Sequence, residues 1–374
     1  MEPLRPDDPR TVGDYRLLRR IGSGGMGRVY LGRNVRGRTV AVKIVHPHFA
    51  EDGAFRARFA REVAAARRVG GDWTAPVLDA DPDADVPWVA TGYVAGPDLQ
   101  QVVTDEGPLP PRTARALAAG LAEALAAVHG LGLVHRDVKP SNVMLALDGP
   151  RLIDFGIARA SDAGGTLTET GVHVGSPGYM APEQLLHGDS GPASDIFAFG
   201  SVLVFATTGH PPFPGDTPAH VLYRIAYETP ELDDVPDALR PVVERCLSKT
   251  AADRPAPAAL AAELTDGAGA AALFTRGDGW LPPSVVAGVS RRAVELLDLE
   301  AESAGLPFPS CGPASADRHG PATGAGAPGG TTGAGAVAET APGTVDGVPG
   351  GPRSPQPVDP RIARRSGAPD PVGQ

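Results

Sequence analysis

The eight residues His135-Arg136-Asp137-Val138-Lys139-Pro140-Ser141-Asn142 carry a carboxylate, an ammonium and an amide, and a second carboxylate follows twelve residues later in Asp154-Phe155-Gly156. Two apolar runs, Val143-Met144-Leu145 and Arg151-Leu152-Ile153, lie between them and flank Asp148-Gly149, the signature of a tight hairpin. Such a hairpin returns the chain to its start, so Asp137, Lys139, Asn142 and Asp154 should converge on one small volume. Hard oxygen donors suit a dication and an ammonium balances phosphate charge. The chemistry implied is the handling of a metal-bound polyphosphate.

The elements needed to present such groups can be read upstream. Tyr15–Ile21 and Arg28–Gly32 read as strands around Gly22-Ser23-Gly24-Gly25-Met26-Gly27. By itself a G-x-G-x-x-G pattern fits either a flexible hairpin or a dinucleotide fold. The dinucleotide reading needs a helix directly after the glycines. Here Val29 and Tyr30 continue as a strand, which favours a hairpin lid whose backbone N–H groups approach phosphates. The next strand, Thr39–Val45, is apolar except for Lys43, and a buried lysine needs a partner. Glu62 is the candidate, at the margin of a helix over 55–68 whose inward stripe is Phe55, Phe59, Val63 and Ala66. Val77–Ala80 and Pro87–Val94 read as two more strands. Leu117, Leu121, Leu125 and Val128 define a long helix over 112–130 that feeds the polar cluster. Further on, Ser194-Asp195 should cap a helix over 196–206 that is apolar on all sides and therefore buried.

In this order and spacing the motifs resemble those of eukaryotic-type protein kinases, most closely the serine/threonine kinases of the actinobacterial kind. Lys139, in place of the Ala or Arg of tyrosine kinases, points to the serine/threonine branch. The resemblance covers residues 15 to about 264. It implies a two-lobed α+β fold, with a five-stranded antiparallel small lobe bearing one helix (about 15–94) and a mainly helical large lobe (about 95–264).

The roles implied by the resemblance follow residue by residue. Asp137 would orient a substrate hydroxyl and accept its proton, Lys139 would touch the γ-phosphate of ATP, and Asn142 and Asp154 would hold Mg²⁺ or Mn²⁺. Lys43 would pair with Glu62. Ile21, Gly22, Ser23, Gly24, Gly25, Met26 and Gly27 would cover the nucleotide. Val29 and Ala41 would line one face of adenine and Met144 the other. Thr91 would be the gatekeeper, with backbone groups near Gly92 and Val94 bonding adenine; Gly92 departs from the acidic residue common there, but the contact is main-chain. The run Gly175-Ser176-Pro177-Gly178-Tyr179-Met180-Ala181-Pro182-Glu183 resembles a peptide-docking loop, which implies protein substrates. Glu183 would pair with Arg254 and Asp195 would brace the catalytic loop. Arg136 would receive a phosphate carried by the Thr- and Gly-rich loop 160–174. Its acceptors would be Thr168 and Thr170, with Thr166 nearby, phosphorylated in trans within a transient kinase dimer. Two alternatives belong to other classes. A catalytically weak nucleotide-binding scaffold is disfavoured by the presence of all five key polar residues, and a small-molecule kinase by the docking run.

A formal net charge of −10 argues against a nucleic-acid surface or an anionic-membrane partner. Two distant cysteines, Cys246 and Cys311, read as free thiols of a reduced cytosolic protein. No window of about 18 apolar residues is present, so a soluble cytoplasmic protein is expected. Residues 1–14 are Pro- and Asp-rich and expected to be disordered, as is the Ala-, Gly- and Pro-rich stretch 265–374. Within that stretch, Trp280–Ser284 precedes a possible helix over 283–302 with Val286, Val289, Val294, Leu297 and Glu300 at roughly helical spacing. A partner-docking helix and a chance amphipathic remnant are its two readings.

Overall fold

The computed structural model describes residues 1–70, 72–154, 177–275 and 279–304, with side chains to residue 299. The small lobe comprises β1 (Glu2–Pro3), β2 (Thr11–Val12), β3 (Tyr15–Gly24), β4 (Gly27–Asn34), β5 (Thr39–Val45), α1 (Pro47–Ala50), α2 (Gly53–Ala66), β6 (Val77–Asp81) and β7 (Trp88–Gly92). Its antiparallel sheet runs β1-β3-β4-β5-β7-β6, with β2 also on β3. Side chains alternate across a strand, so β5 buries Val40 and Val42 on one face and sends Ala41 and Lys43 to the other. One face closes a cluster with Tyr15, Leu17, Tyr30 and Trp88. α2 starts at Asp52, whose side chain accepts from the Ala54 and Phe55 N–H groups. It packs the expected stripe Phe55, Phe59, Val63 and Ala66 on Val45, Val77 and Val89.

The large lobe follows with α3 (Leu99–Glu106), α4 (Pro111–Gly130), β8 (Val143–Ala146), β9 (Gly149–Leu152), α5 (Pro182–Leu186), α6 (Pro192–Thr208), α7 (Pro218–Tyr227), α8 (Arg240–Cys246) and α9 (Pro257–Thr265). Leu117, Leu121, Leu125 and Val128 of α4 are all buried, and almost the whole of α6 is. α6 begins three residues before Asp195, with Gly191 at its cap position, so Ser194 and Asp195 sit inside its first turn; Ser194 Oγ accepts from the Gly191 N–H at 3.3 Å, whereas Asp195 makes no cap bond. The β8–β9 turn is Leu147-Asp148, one residue earlier than expected, because Gly149 already pairs with Ala146. A Cβ on Gly149 would meet the Trp73 ring at 2.3 Å. Among the described residues no helix is long and apolar enough to cross a membrane.

Two expectations of disorder are corrected. Beyond α9 the chain adds α10 (Ala271–Phe274) and α11 (Pro283–Ala304), and Phe274, Trp280, Leu281, Val285 and Val289 join the large-lobe core. Average composition concealed these few large apolar side chains, which supply the burial that the glycines and prolines around them cannot. α11 is therefore neither a free docking helix nor a remnant, and the stripe it buries runs through Val285 and Val289 while Val294 and Leu297 are exposed. The stretch 305–374, with Cys311, lies outside the described residues.

The other correction concerns residues 1–14, which are built into the small lobe and raise its sheet to seven strands. Asp8 is buried, with its carboxylate 2.5 Å from the Arg20 guanidinium and 2.7 Å from the Tyr30 hydroxyl. Burial alone would raise the Asp8 pKa, but the hydrogen bonds from Arg20, Tyr30 and the Arg5 amide hold it well below the carboxylate range. As pH falls through about 4 the unfolded chain takes up this proton first, so the stabilisation is complete above that pH and is lost on approach to the lower folded value. Asp8→Asn should lower Tm at pH 7 by about 3–6 °C and flatten the dependence of Tm on pH below about 4. Thermal melts across that range check both.

Candidate active site

Lys43, from β5, reaches across the cleft to Asp154, with Nζ 2.8 Å from both carboxylate oxygens. Asp154 follows β9, and the Ile153 N–H donates to the Asn142 carbonyl at 2.9 Å, which sets Asp154 beside the catalytic loop. In that loop the Asn142 amide donates to the Asp137 carbonyl and carboxylate at 2.8 and 2.9 Å, and Lys139 Nζ stands 2.9 Å from the same carboxylate. The hairpin between the two motifs has thus gathered Asp137, Lys139, Asn142 and Asp154, and Lys43 joins them from β5.

The pairing expected for Lys43 is not the one formed. Glu62 on α2 instead meets Arg136, Nη1 to Oε1 at 2.9 Å. The two like-distance pairs, Lys43–Asp154 and Arg136–Glu62, exchange partners relative to the expected Lys43–Glu62 contact. Charge complementarity alone permits both arrangements.

Asp195, 1 % exposed, anchors the loop from below. Its carboxylate accepts from the backbone N–H groups of His135 and Arg136, each at 2.8 Å, and lies 2.8 Å from His129 Nε2. This holds Arg136 at φ +65, a left-handed conformation that non-glycine residues rarely take. Asp154 is also left-handed, at φ +60. Both strained residues carry charge in the cleft, so the strain sits where the polar groups converge. His135 is fully buried, and burial holds its imidazole below the ordinary value against the opposing carboxylates of Asp195, Asp137 and Asp154. A neutral ring fits its contacts, with Nε2–H donating to the Ile153 carbonyl at 3.2 Å and Nδ1 accepting from the Asp137 N–H at 3.3 Å. Sequence reasoning missed both His129 and His135 as braces; their signal was two histidines flanking a glycine-rich helix end, which is weak.

Over the cleft lies the β3–β4 hairpin. A Cβ on Gly22, Gly24 or Gly25 would meet nothing within 4 Å, whereas one on Gly27 would come 2.2 Å from the Ile44 carbonyl. The first three border open space and the fourth is demanded by sheet packing. His46 steadies the tip, its N–H donating to the Met26 carbonyl at 2.9 Å and its Nε2 lying 3.1 Å from the Gly24 carbonyl. Met26 packs on the apolar cluster under α2, so its backbone rather than its side chain is available to a ligand. Val29, Ala41 and Met144 are half-buried and Ile21 is exposed. The Gly92 N–H donates to the Pro76 carbonyl at 2.9 Å, so any Gly92 contribution to adenine has to come from its carbonyl. Val94 follows in the link to α3.

The donor set fits a divalent cation. Asp154 offers hard oxygens, and Asn142, with its amide nitrogen committed to Asp137, has its carbonyl oxygen left to give. Among the described residues no group of three or more His, Cys, Asp or Glu side chains could hold a metal alone. A site of this kind completes its coordination from phosphate oxygens and water, as magnesium sites commonly do.

Toward the substrate side, Asp137 and Lys139 border a depression walled by Tyr179, Met180 and Gln184. Glu183 holds Arg254 in two contacts, at 2.7 and 2.8 Å, and accepts from Ser194 Oγ at 2.8 Å. Burial would raise the Glu183 pKa, but the Arg254 and Ser194 hydrogen bonds lower it. Phe155, Gly156, Thr166, Thr168, Thr170, Gly175 and Ser176 lie outside the described residues.

The protein kinase domain model matches residues 15–264. The probable serine/threonine-protein kinase PkwA of Thermomonospora curvata is 50% identical over 283 residues, covering 76% of this chain and 37% of that protein. The serine/threonine-protein kinase AfsK of Streptomyces coelicolor is 49% identical over 300 residues, covering 78% of this chain and 37% of that protein. The chain therefore spans little more than a third of the length of these relatives. The crystal structure of the Mycobacterium tuberculosis PknI kinase domain superposes with a TM-score of 0.55 at 29% identity, over 69% of this chain and 97% of that one.

Arg254 has a fully buried side chain, and its removal would leave the Glu183 carboxylate without its cation. Arg254→Ala should cost about 3 kcal/mol or more of stability, read by urea denaturation.

Proposed function

The chain belongs to the protein kinase family, and from that premise we propose that it transfers the γ-phosphoryl group of ATP to serine or threonine hydroxyls of proteins, in bacterial signalling. The observation that carries this reading is the convergence of Lys43, Asp137, Lys139, Asn142 and Asp154 on one cleft from three separate stretches of sequence. Asp137 orients the substrate hydroxyl and accepts its proton as that oxygen bonds to the γ-phosphorus and the bond to the departing ADP breaks. Lys139, beside the Asp137 carboxylate, offsets charge on the transferred group. The hairpin of Gly22, Gly24 and Gly25 covers the phosphates with backbone N–H groups, and Lys43 balances their charge. Mg²⁺ or Mn²⁺, held by Asp154 and Asn142, supplies neutralisation of the β- and γ-phosphates when bound. The depression beside Asp137 and Tyr179 suits an extended peptide carrying the acceptor hydroxyl. A catalytically weak scaffold is not favoured, since each of these polar groups is present. A soluble cytoplasmic location agrees with the use of ATP.

The observed charge pairs support a regulated kinase. Arg136 holds Glu62 while Asp154 holds Lys43. A phosphate on Thr168 or Thr170 brings about −1.5 to −2 charge and competes with the single carboxylate of Glu62 for the Arg136 guanidinium. Glu62 is then released to Lys43, and Asp154 to the cation. Phosphorylation in trans within a transient dimer of this chain would throw the switch.

Purified protein with Mg²⁺-ATP and a Ser/Thr protein substrate tests the reaction. Lys43→Met and Asp154→Asn should each lower kcat/KM by about 10²-fold or more with the fold retained; near-unchanged turnover in either would refute the assignment. Mass spectrometry after incubation with ATP should find phosphate on Thr168 and Thr170. The double Ala variant should phosphorylate added substrate about tenfold or more slowly than the phosphorylated parent.

A further inference from the structure

The segment from Trp280 to Ala304 turns back along the large lobe to the link between the two lobes. Trp280 is buried, its Nε1–H donates to the Ala146 carbonyl at the end of β8 at 3.0 Å, and its own carbonyl accepts from Thr113 Oγ1 at 2.9 Å. The start of α11 is fixed by a Ser284 hydroxyl contact to the Glu106 carboxylate at the end of α3. Two turns later Arg292 spreads its guanidinium over the link itself, one arm donating to the Gly96 carbonyl and the other to the Gln101 side-chain oxygen. Its charge also reaches Tyr93, where it acts against the burial that raises the phenol pKa.

The opposite side of the same link is fixed by β8. The Leu145 N–H donates to the Pro97 carbonyl at 2.9 Å, Asp98 bridges to Met144, and a Cβ on Gly96 would lie 2.3 Å from the Leu145 carbonyl. Residues 93–98 are thus gripped between β8 and α11. Gly96 is only two residues from Val94, and the Gly92–Val94 backbone is the part assigned to adenine. A guanidinium that fixes one carbonyl of a short extended link fixes the direction of its neighbours, because each residue has only two soft torsions.

We propose that the segment Trp280–Ala304 is a working part of the nucleotide site, a clamp on the interlobe link, and that Arg292 is a positioning residue for adenine binding. It touches neither nucleotide nor substrate and acts through the Gly96 carbonyl. The inference rests on the adenine-binding reading of Gly92 and Val94. Arg292 is well suited because its planar fork bonds two acceptors at once and stays charged at all working pH values, which a lysine point charge cannot reproduce.

The test uses the full chain. Arg292→Ala and Arg292→Lys are compared with the parent for binding of adenosine, which reads the link, and of inorganic tripolyphosphate, which reads the glycine hairpin and Lys43. The loss of one charge-assisted hydrogen bond should weaken adenosine binding by about tenfold in Arg292→Ala, with Arg292→Lys intermediate, while tripolyphosphate binding is unchanged. KM for ATP should rise more than kcat falls, and amide hydrogen exchange over 92–99 should quicken. Arg292 is only half-buried, so both variants should fold, and thermal melts report this directly. Unchanged adenosine affinity in both variants would overturn the clamp while leaving the nucleotide reading intact. Equal weakening of adenosine and tripolyphosphate would also overturn it, since the effect would then be general. Failure of the parent itself to bind adenosine would overturn the adenine reading and the clamp with it.

Discussion

A single buried carboxylate, that of Asp195, is the constraint on which the cleft depends. Two consecutive backbone N–H groups, of His135 and Arg136, point at it, and His129 closes its remaining side. A carboxylate removed from water is costly unless such donors surround it, so the three contacts and the burial of α6 have to form together. The arrangement forces Arg136 into a left-handed conformation worth about 1–3 kcal/mol of strain, which the surrounding contacts offset. Turning the backbone there is what presents Asp137 upward to the cleft and Arg136 sideways to α2. The neutral, buried His135 ring carries the same geometry across to Ile153, and hence to Asp154 just after β9. Helix core, loop and the segment after β9 are one hydrogen-bonded unit.

Above that unit lie the charge pairs that cross the cleft. Four ionic groups, Lys43, Glu62, Arg136 and Asp154, form two pairs that span the lobes. None is more than about a third exposed, so solvent screens them less than a surface pair.

The sequence made much of this legible. Local patterns with steep physical requirements came through: the β5 lysine, the α2 stripe, the long α4 face, and the hairpin that brings Asn142 back to Asp154. Positions decided by competition between equally suitable partners did not. Glu62 can satisfy Lys43 or Arg136, and no spacing rule chooses between two cations of similar reach. The cap assigned to Asp195 failed for a related reason, because a side chain that could bond its own helix end bonds the catalytic loop instead. Disorder was over-read over 1–14 and over the described part of 265–304, because it was judged by average composition. Asp8 is one buried acid among prolines, and it holds the segment to β3 and β4 through Arg20 and Tyr30.

The C-terminal boundary carries the same lesson further. The family model stops at residue 264, yet the apolar core of the large lobe continues without a break through Phe274, Trp280, Val285 and Val289. Similarity to the two curated relatives covers more of the chain than lies before α10, so it too runs on past α9. Trp280 is the pivot of this extension, because its ring fills the core beside Phe274 and its polar edge meets the end of β8. A chain cut at the family boundary would expose Phe274-facing apolar surface on α4 and free the outer side of the interlobe link. The physical domain is thus larger than the pattern that identifies it, and the surplus lies against the strand that carries Met144 and the link that carries Val94.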